Sequence, residues 1–253
     1  MLPLKNSLSA ILFIILFVIS CSKNQGSTGL PSVNPVNDRM VGASAKELLT
    51  ASNYNSLIIE IQYMPGFQPD QASLNNLSAF LNTYLNKPGG ITFHQAAISA
   101  SGKASLTLNE ISTIEKNSRT AYSTGTTATI YILVADAMYS DPNVLGIAYR
   151  NTSVCLFGQT IQQNSGGLGQ VNRTKLVTTV VEHEMGHLLG LVDLGSPMVT
   201  NHKDGAHGNH CNNQNCLMFY ASETTDLLGF LITGNIPTLD PNCIADLRAN
   251  GGK

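Results

Sequence analysis

Residues 180–190, VVEHEMGHLLG, contain two histidines four positions apart, with a glutamate directly after the first. Residues at this spacing share one face of an α-helix, so His183 and His187 can direct their imidazoles at one ion. Zinc favours imidazole nitrogens and tetrahedral geometry, and two histidines supply half of its ligands. Glu184 lies about 100° around the helix, where its carboxylate can reach a metal-bound water. This arrangement predicts the activation of water for attack on a carbonyl group.

The helix that must position these side chains is predicted over residues 173–189. Two stripes of apolar residues and histidines run along it, so the helix is expected to be buried on both sides. Buried histidines need partners or a metal, and five of the six histidines in the chain fall between positions 183 and 210. Gly190 fits the position just past a helix end, where φ can be positive. Together these features favour a metal site.

The longer pattern H-E-x-x-H-x-x-G resembles the metzincin zinc metallopeptidases, whose helix ends at the glycine before the chain turns back with a third ligand. Residues 210–218, HCNNQNCLM, are similar to the segment that follows this glycine in archaemetzincins. The resemblance implies that His210 is the third zinc ligand and that Met218 forms a turn beneath the zinc. It also implies that Tyr220 can donate a hydrogen bond to an oxyanion.

The third ligand has alternatives in the sequence. Asp193, three residues after the glycine, occupies the usual metzincin position and is similar to the aspartate of the snapalysin-like branch. His202 and His207 are further candidates, because both lie in the stretch inserted before residue 210. In gluzincins the third ligand is a glutamate on a later helix, and Glu223 is the nearby candidate for that role.

A second, structural metal ion is also predicted in the inserted stretch. His202, Asp204 and His207 have a spacing that could hold such an ion, and a polar loop that shapes the cleft is the alternative. The structural zinc of archaemetzincins is a separate site, and the resemblance does not imply it here, because only Cys243 stands in place of the family's later cysteine pair.

If the chain is exported, its cysteines predict disulfide bonds. Disulfides are the default pairing in an oxidising compartment, and a second zinc bound by cysteines is the alternative. Four cysteines allow three full pairings, and the spacing does not choose among them. The cysteines that remain after export are Cys155, Cys211, Cys216 and Cys243.

The predicted elements indicate an α+β fold. Strands over 56–63, 91–98 and 127–137 alternate with helices over 70–87 and 107–122, which favours a mixed sheet with packed helices. An extended segment covers 145–161, and a last helix lies near 240–249. We therefore expect a metzincin-like fold: a mixed twisted sheet with packed helices, an active-site helix and an irregular C-terminal subdomain that ends in a helix.

The domain boundaries follow from these elements. Residues 41–190 are predicted to form an N-terminal catalytic subdomain with the zinc-binding helix. Residues 191–253 are predicted to form a C-terminal subdomain with the third ligand and the methionine turn. The chain of 253 residues is 43% hydrophobic and 12% charged, which fits a globular core. Its net charge of −2 and its lack of long basic runs give no indication of nucleic-acid binding.

The N-terminal segment indicates export. Residues 1–20 are predicted to be a signal peptide, because their apolar run, SAILFIILFVIS, is too short to span a bilayer of roughly 30 Å. The residues VISC at 18–21 resemble a bacterial lipobox, which implies cleavage before Cys21 and lipid on its thiol; a simple secretory signal is the alternative. Residues 21–40 are predicted to be a lipidated tether, flexible over 22–38. The mature protein is then expected at the bacterial cell envelope, anchored to a membrane.

The predicted function is that of a zinc-dependent endopeptidase that acts as a monomer. In metzincins, substrate pairs with an edge strand above the zinc, and residues 146–157 stand where that strand is expected. A peptide or protein substrate would therefore bind in extended form. The alternatives are a surface module that keeps the metal without turnover and a peptidase of gluzincin type.

Overall fold

The computed structural model describes residues 29–253. The predicted signal peptide, the lipid site at Cys21 and the start of the tether lie outside the described residues. Residues 31–38, predicted as part of a flexible tether, instead pack on the domain. Asn37 is buried, and its side-chain amide donates to Ser123 Oγ at 3.2 Å and to Thr152 Oγ1 at 2.8 Å. The packed part of the chain therefore begins earlier than the composition suggests.

Helices and strands alternate through the first two thirds of the chain. The strands are β1 (Ser56–Tyr63), β2 (Ile91–Ala97), β3 (Ser105–Leu106), β4 (Thr127–Ala135), β5 (Met138–Tyr139), β6 (Gly146–Arg150) and β7 (Ser153–Phe157). The helices are α1 (Ala45–Leu49), α2 (Gln71–Tyr84), α3 (Leu108–Ser118), α4 (Gly158–Gln163), α5 (Arg173–Leu188), α6 (Leu228–Thr233) and α7 (Pro241–Ala249). Two 3₁₀ helices, Tyr220–Glu223 and Thr225–Leu227, precede α6.

Five strands form the main sheet in the order β2-β1-β4-β7-β6. The first four are mutually parallel, and β6 pairs with β7 in antiparallel fashion at one edge. Strand β4 is buried along nearly its whole length, as its continuous apolar run predicts. The predicted mixed sheet and the α+β fold class are therefore confirmed.

The longer helices lie where the apolar periodicity predicts them, and polar side chains fix their starts. Asp70 accepts a hydrogen bond from the backbone N–H of Ser73, and Thr107 forms a capping box with Glu110. Asn172 caps α5 through the backbone N–H of Lys175. The short helices α1, α4 and α6 have too few residues to show a period, and the sequence does not predict them.

The predicted extended segment over 145–161 has a finer structure. It folds into the hairpin β6–β7 and then into α4. Of the two hairpin strands, β6 lies at an edge of the sheet, because β7 pairs with β4 on its other side.

The core lies on both faces of the sheet. The larger cluster packs α2 and α5 against one face, and it includes Leu217, Met218 and Leu247 from the C-terminal region. The smaller cluster lies on the other face around Ile111 of α3. Within residues 29–253, no helix combines the length and apolar character needed to cross a bilayer.

Candidate metal centre

Helix α5 brings its two histidines together at a buried site. The Nε2 atoms of His183 and His187 are 3.1 Å apart, and the two residues are 0% and 6% exposed. Helix α5 ends where predicted, and Gly190 follows with φ of 87°. The carbonyl oxygen of Gly190 accepts from the backbone N–H groups of Leu194, Gly195 and Ser196. The chain therefore turns sharply after the histidines and leads back toward them.

His210 joins this pair from the C-terminal region. Its ring centroid is 5.3 Å from that of His183 and 5.1 Å from that of His187. Glu223 also reaches the site, so that one ligand atom from each of these four residues lies within 4.8 Å of the others. Three of the four are the predicted ligands, and the fourth is the residue that the gluzincin alternative proposes.

The other candidates for the third ligand lie elsewhere. Asp193 has φ of 65° and directs its carboxylate at Lys203, 3.2 Å away, with the side chain 49% exposed. His207 pairs with Asp204 through its Nδ1, 2.6 Å from Oδ2. His202 is buried in a different cluster of polar side chains.

Each of the three clustered histidines directs its Nδ1 at a backbone carbonyl. The partners are Leu217 O at 2.7 Å for His183, Leu191 O at 2.9 Å for His187 and His207 O at 2.6 Å for His210. A carbonyl oxygen can only accept, so Nδ1 must carry the proton, and the Nε2 of a neutral ring then presents a lone pair.

These lone pairs fit a cation. Burial, together with the neighbouring His183, lowers the pKa of His187 to about 3, so its ring is neutral near pH 7. His210 Nε2 is buried and has no hydrogen-bond partner within residues 29–253. Three imidazole nitrogens that lie close together form the donor set that zinc prefers.

A turn of the chain supports the histidines from below. The carbonyl oxygen of Met218 accepts from the backbone N–H of Cys211 at 2.7 Å, which fixes the residue after His210. The carbonyl of Leu217 in the same turn orients His183. Met218 packs against Gly186, where a Cβ atom would overlap its sulfur. Met218 thus lies against the helix beside the histidines, and its role beneath a metal stays a prediction.

Glu184 is fully buried beside the histidines. Neither of its carboxyl oxygens has a hydrogen-bond partner within the described structure. Burial, and secondarily the charge of Glu223, raises the pKa of this carboxyl well above its ordinary value. A Cβ atom at Gly146 of β6 would lie 3.1 Å from Glu184 Oε1, so the carboxyl lies against the edge strand. Such a group can accept and return a proton.

Tyr220 is half-buried, and its ring stacks on that of His207. The two ring centroids are 3.7 Å apart, and the ring planes differ by 10°. This contact positions the ring by stacking. The role of Tyr220 as an oxyanion donor stays a prediction.

The positions of the four cysteines that follow Cys21 contradict two predictions, the disulfides and the site of the structural ion. Cys155, Cys211, Cys216 and Cys243 are all buried free thiols, so the predicted disulfides are wrong. His202 Nδ1 lies 3.4 Å from Cys211 Sγ and 3.9 Å from Cys243 Sγ. The Sγ atoms of Cys216 and Cys243 are 3.6 Å apart.

The three residues predicted to hold a structural ion do not lie together. His202 belongs with the cysteines, while Asp204 and His207 pair with each other near the surface. His202, Cys211, Cys216 and Cys243 form a thiol cluster. Asp240 also reaches it, since its Oδ2 is 3.4 Å from Cys211 Sγ. Cys243 and Asp240 lie at the start of α7, far from His202 in sequence, and no local spacing indicates that they meet.

The fold is similar to that of archaemetzincin from Methanopyrus kandleri. The TM-score with that crystal structure is 0.51 at 14% sequence identity, and the alignment covers 78% of this chain and 96% of that one. A second similar structure is metalloproteinase-II from Bacteroides fragilis, with a TM-score of 0.42 at 14% identity over 86% of this chain and 58% of the other. No protein-family model and no curated protein sequence matches the chain.

Proposed function

We propose that the protein is a zinc-dependent endopeptidase. The observation that carries this proposal is the convergence of three imidazole Nε2 atoms, from His183, His187 and His210, beside the buried carboxyl of Glu184, which has no hydrogen-bond partner among the described residues. The archaemetzincin-like fold supports the same family-level assignment. A bound zinc ion would polarise a carbonyl oxygen and lower the pKa of its water to about 7.

Glu184 is the proposed general base. Its carboxyl lies between the histidines and β6, so it is placed to take a proton from the attacking water and return it to the leaving amine. Its low exposure and lack of hydrogen-bond partners make the proton-bound form easy to reach. Tyr220 is proposed to donate a hydrogen bond to the oxyanion, which requires its ring to leave His207 or to reach past it.

Strand β6 is the proposed binding edge for substrate. It is the last strand of the main sheet, and it begins at Gly146, against Glu184. An extended peptide that pairs with this edge would place its backbone beside the carboxyl. Strand pairing depends on main-chain hydrogen bonds more than on side chains. It therefore favours a peptide or protein substrate in extended form.

The test of this function is a comparison of the wild-type protein with Glu184→Gln on a zinc-loaded, casein-type substrate. General acid–base catalysis contributes roughly 10²–10⁴-fold, so we expect cleavage to fall by about that factor while zinc content is unchanged. Equal and complete silence of both proteins across many substrates, with zinc bound, would instead favour the metal-binding surface module.

The thiol cluster is proposed to hold a second, structural zinc. Thiolates and one imidazole are donors that zinc binds in structural sites, and hydrogen bonds from Cys211 and Cys243 lower the pKa of the Cys216 thiol to about 4. Ligand atoms of His202, Cys211, Asp240 and Cys243 lie within 4.8 Å of one another, a spacing that suits a cation in this cluster. His202 is held toward the thiols because its Nε2 is fixed by Asp246 Oδ2 at 2.8 Å.

Anchoring to a bacterial membrane through Cys21 is a further proposal. It rests on the apolar run and the VISC residues at 18–21. Metabolic labelling with a radioactive fatty acid should mark the wild-type protein and leave Cys21→Ser unlabelled.

A further inference from the structure

Glu223 is the acidic member of the histidine cluster. It ends the 3₁₀ helix Tyr220–Glu223, and its side chain is 27% exposed. Its Oε1 lies 3.4 Å from His210 Nε2, and its Oε2 lies 3.8 Å from His183 Nε2. The Glu223 carboxylate thus faces the Nε2 atoms of both histidines.

The hydrogen bonds that the two histidines make elsewhere leave these nitrogen atoms directed at the carboxylate. The Nδ1 atoms of His183 and His210 donate to backbone carbonyls, so their Nε2 atoms carry lone pairs in the neutral rings. A carboxylate offers oxygen lone pairs, so Glu223 completes a cluster of four possible ligand atoms that all lie within 4.8 Å of one another. A cation among these atoms would be bound by all four side chains.

The spacing of the donor atoms fits a four-coordinate ion. Ligands at about 2.0–2.1 Å from zinc in a tetrahedron lie roughly 3.3–3.4 Å from one another. The separations here are 3.1 Å between His183 and His187, 3.4 Å between His210 and Glu223, and 3.8 Å between His183 and Glu223. Glu223 therefore stands at the fourth corner, which catalytic zinc sites leave to water or substrate.

We propose that Glu223 is a fourth protein ligand that caps the metal in the resting protein and is displaced for turnover. This inference rests on the proposed function, because it concerns the same metal. In the capped state the position needed by the attacking water is taken. The protein then holds its metal tightly and cleaves slowly until the carboxylate leaves.

The backbone around the cap connects it to the substrate edge. The carbonyl oxygen of Glu223 accepts from the N–H of Leu145 at 2.8 Å, and the N–H of Thr225 donates to Asn143 O at 3.0 Å. Thr224 forms a β-bridge with Val144. Residues 143–145 lead directly into β6, so a peptide that pairs with β6 contacts the segment that holds the cap. Substrate binding can in this way favour release of the carboxylate.

The experiment compares the full-length wild-type protein with Glu223→Gln and Glu223→Ala. Asp226→Asn is the matched control, because Asp226 is an exposed acidic residue on the next 3₁₀ helix. The first measurement is competition for Zn²⁺ against a chromogenic chelator, and the second is the visible spectrum of the Co²⁺-loaded protein. Cleavage of the casein-type substrate is the third.

We expect both Glu223 variants to bind Zn²⁺ at least about tenfold more weakly, the lower end of what loss of even an outer partner costs. The Co²⁺ spectrum should change, because one carboxylate ligand is lost, and kcat/KM should stay level or rise. Asp226→Asn should match the wild type in all three measurements.

Unchanged Zn²⁺ affinity and an unchanged Co²⁺ spectrum in both Glu223 variants would overturn the cap. The proposed function would still stand if Glu184→Gln abolished cleavage in the same protein. A large loss of cleavage in the Glu223 variants, with Zn²⁺ affinity and Co²⁺ spectrum intact, would also overturn the cap, because Glu223 would then act on water or substrate. A wild-type protein that binds no zinc would remove both proposals together.

Discussion

Met218 packs its thioether sulfur directly against the Cα atom of Gly186, one residue before the second histidine of the metal centre. A Cβ atom on Gly186 would overlap this sulfur, so a larger residue fits there only if the methionine side chain moves. The contact sets the distance between α5, which carries two histidines, and the turn whose carbonyl orients His183. Glycine inside a helix lowers helix propensity by about 1 kcal/mol relative to alanine. The contact with Met218 explains why α5 nevertheless has a glycine at position 186.

The first prediction concerns this contact. Gly186→Ala should destabilise the protein by about 1–3 kcal/mol, the usual cost of overpacking a core, despite the better helix propensity of alanine. Urea denaturation at pH 7 measures the change. Gly229→Ala is the matched control, because Gly229 lies in α6 with nothing within 4 Å of an added Cβ. A Gly186→Ala protein as stable as the control would show that the methionine turn is free to shift.

The second prediction separates the candidates for the third ligand. His210→Ala should lose one equivalent of bound zinc, because one of three imidazole donors disappears from the cluster. Asp193→Asn should keep its zinc, since Asp193 contacts Lys203 and its side chain is largely exposed. Asparagine is chosen because it tolerates the positive φ at this position. Zinc retained in the histidine variant and lost in the Asp193 variant would reverse the assignment.

The third prediction concerns the thiol cluster. Cys243→Ser should lose a different equivalent of zinc and lower the free energy of unfolding, because α7 is then no longer tied to Cys211 and His202. Cys155→Ala is the matched control, since it removes a buried thiol that has no partner in the cluster. Elemental analysis and thermal unfolding, with and without chelator, provide the measurements. Equal zinc content in Cys243→Ser and the wild type would exclude a metal at this cluster.

The sequence predicts the parts of the site that depend on local periodicity. His183, Glu184 and His187 share one helix, and a spacing of four residues places both imidazoles on one face. Gly190 ends that helix because the chain must take a positive φ there. His210 and Met218 come from a family resemblance, and the structure brings both to the helix.

Contacts between distant segments are harder to predict. Glu223 meets His210 because its 3₁₀ helix pairs with residues 143–145, and no period in the sequence shows that pairing. His202 and Cys243 meet because α7 packs under the turn, although 41 positions separate them. The disulfide prediction is wrong for the same reason, since composition and compartment alone do not show which side chains share a cavity.

The last prediction concerns pH and the joint between α2 and α5. Asp70 caps α2 through Ser73, whose N–H and hydroxyl lie 2.9 Å and 3.0 Å from its carboxylate, and it also accepts from Thr174 Oγ1 of α5 at 3.1 Å. Burial raises the pKa of this carboxyl, but the hydrogen bonds from Ser73 and Thr174 outweigh it, so the net pKa lies below 3.8. A folded-state pKa below the unfolded value means that the contribution to stability is complete above about pH 4 and is lost as the pH falls through the folded value.

Asp70→Ala should therefore cost about 1 kcal/mol at pH 7, and this difference from the wild type should shrink toward pH 3. Asp70→Asn keeps a capping oxygen without a titrating group, so its stability relative to the alanine variant should stay nearly constant with pH. Urea denaturation of the three proteins at pH 7 and pH 3, with chelator present throughout, makes the comparison, and a wild-type advantage that persists unchanged at pH 3 would contradict the lowered pKa.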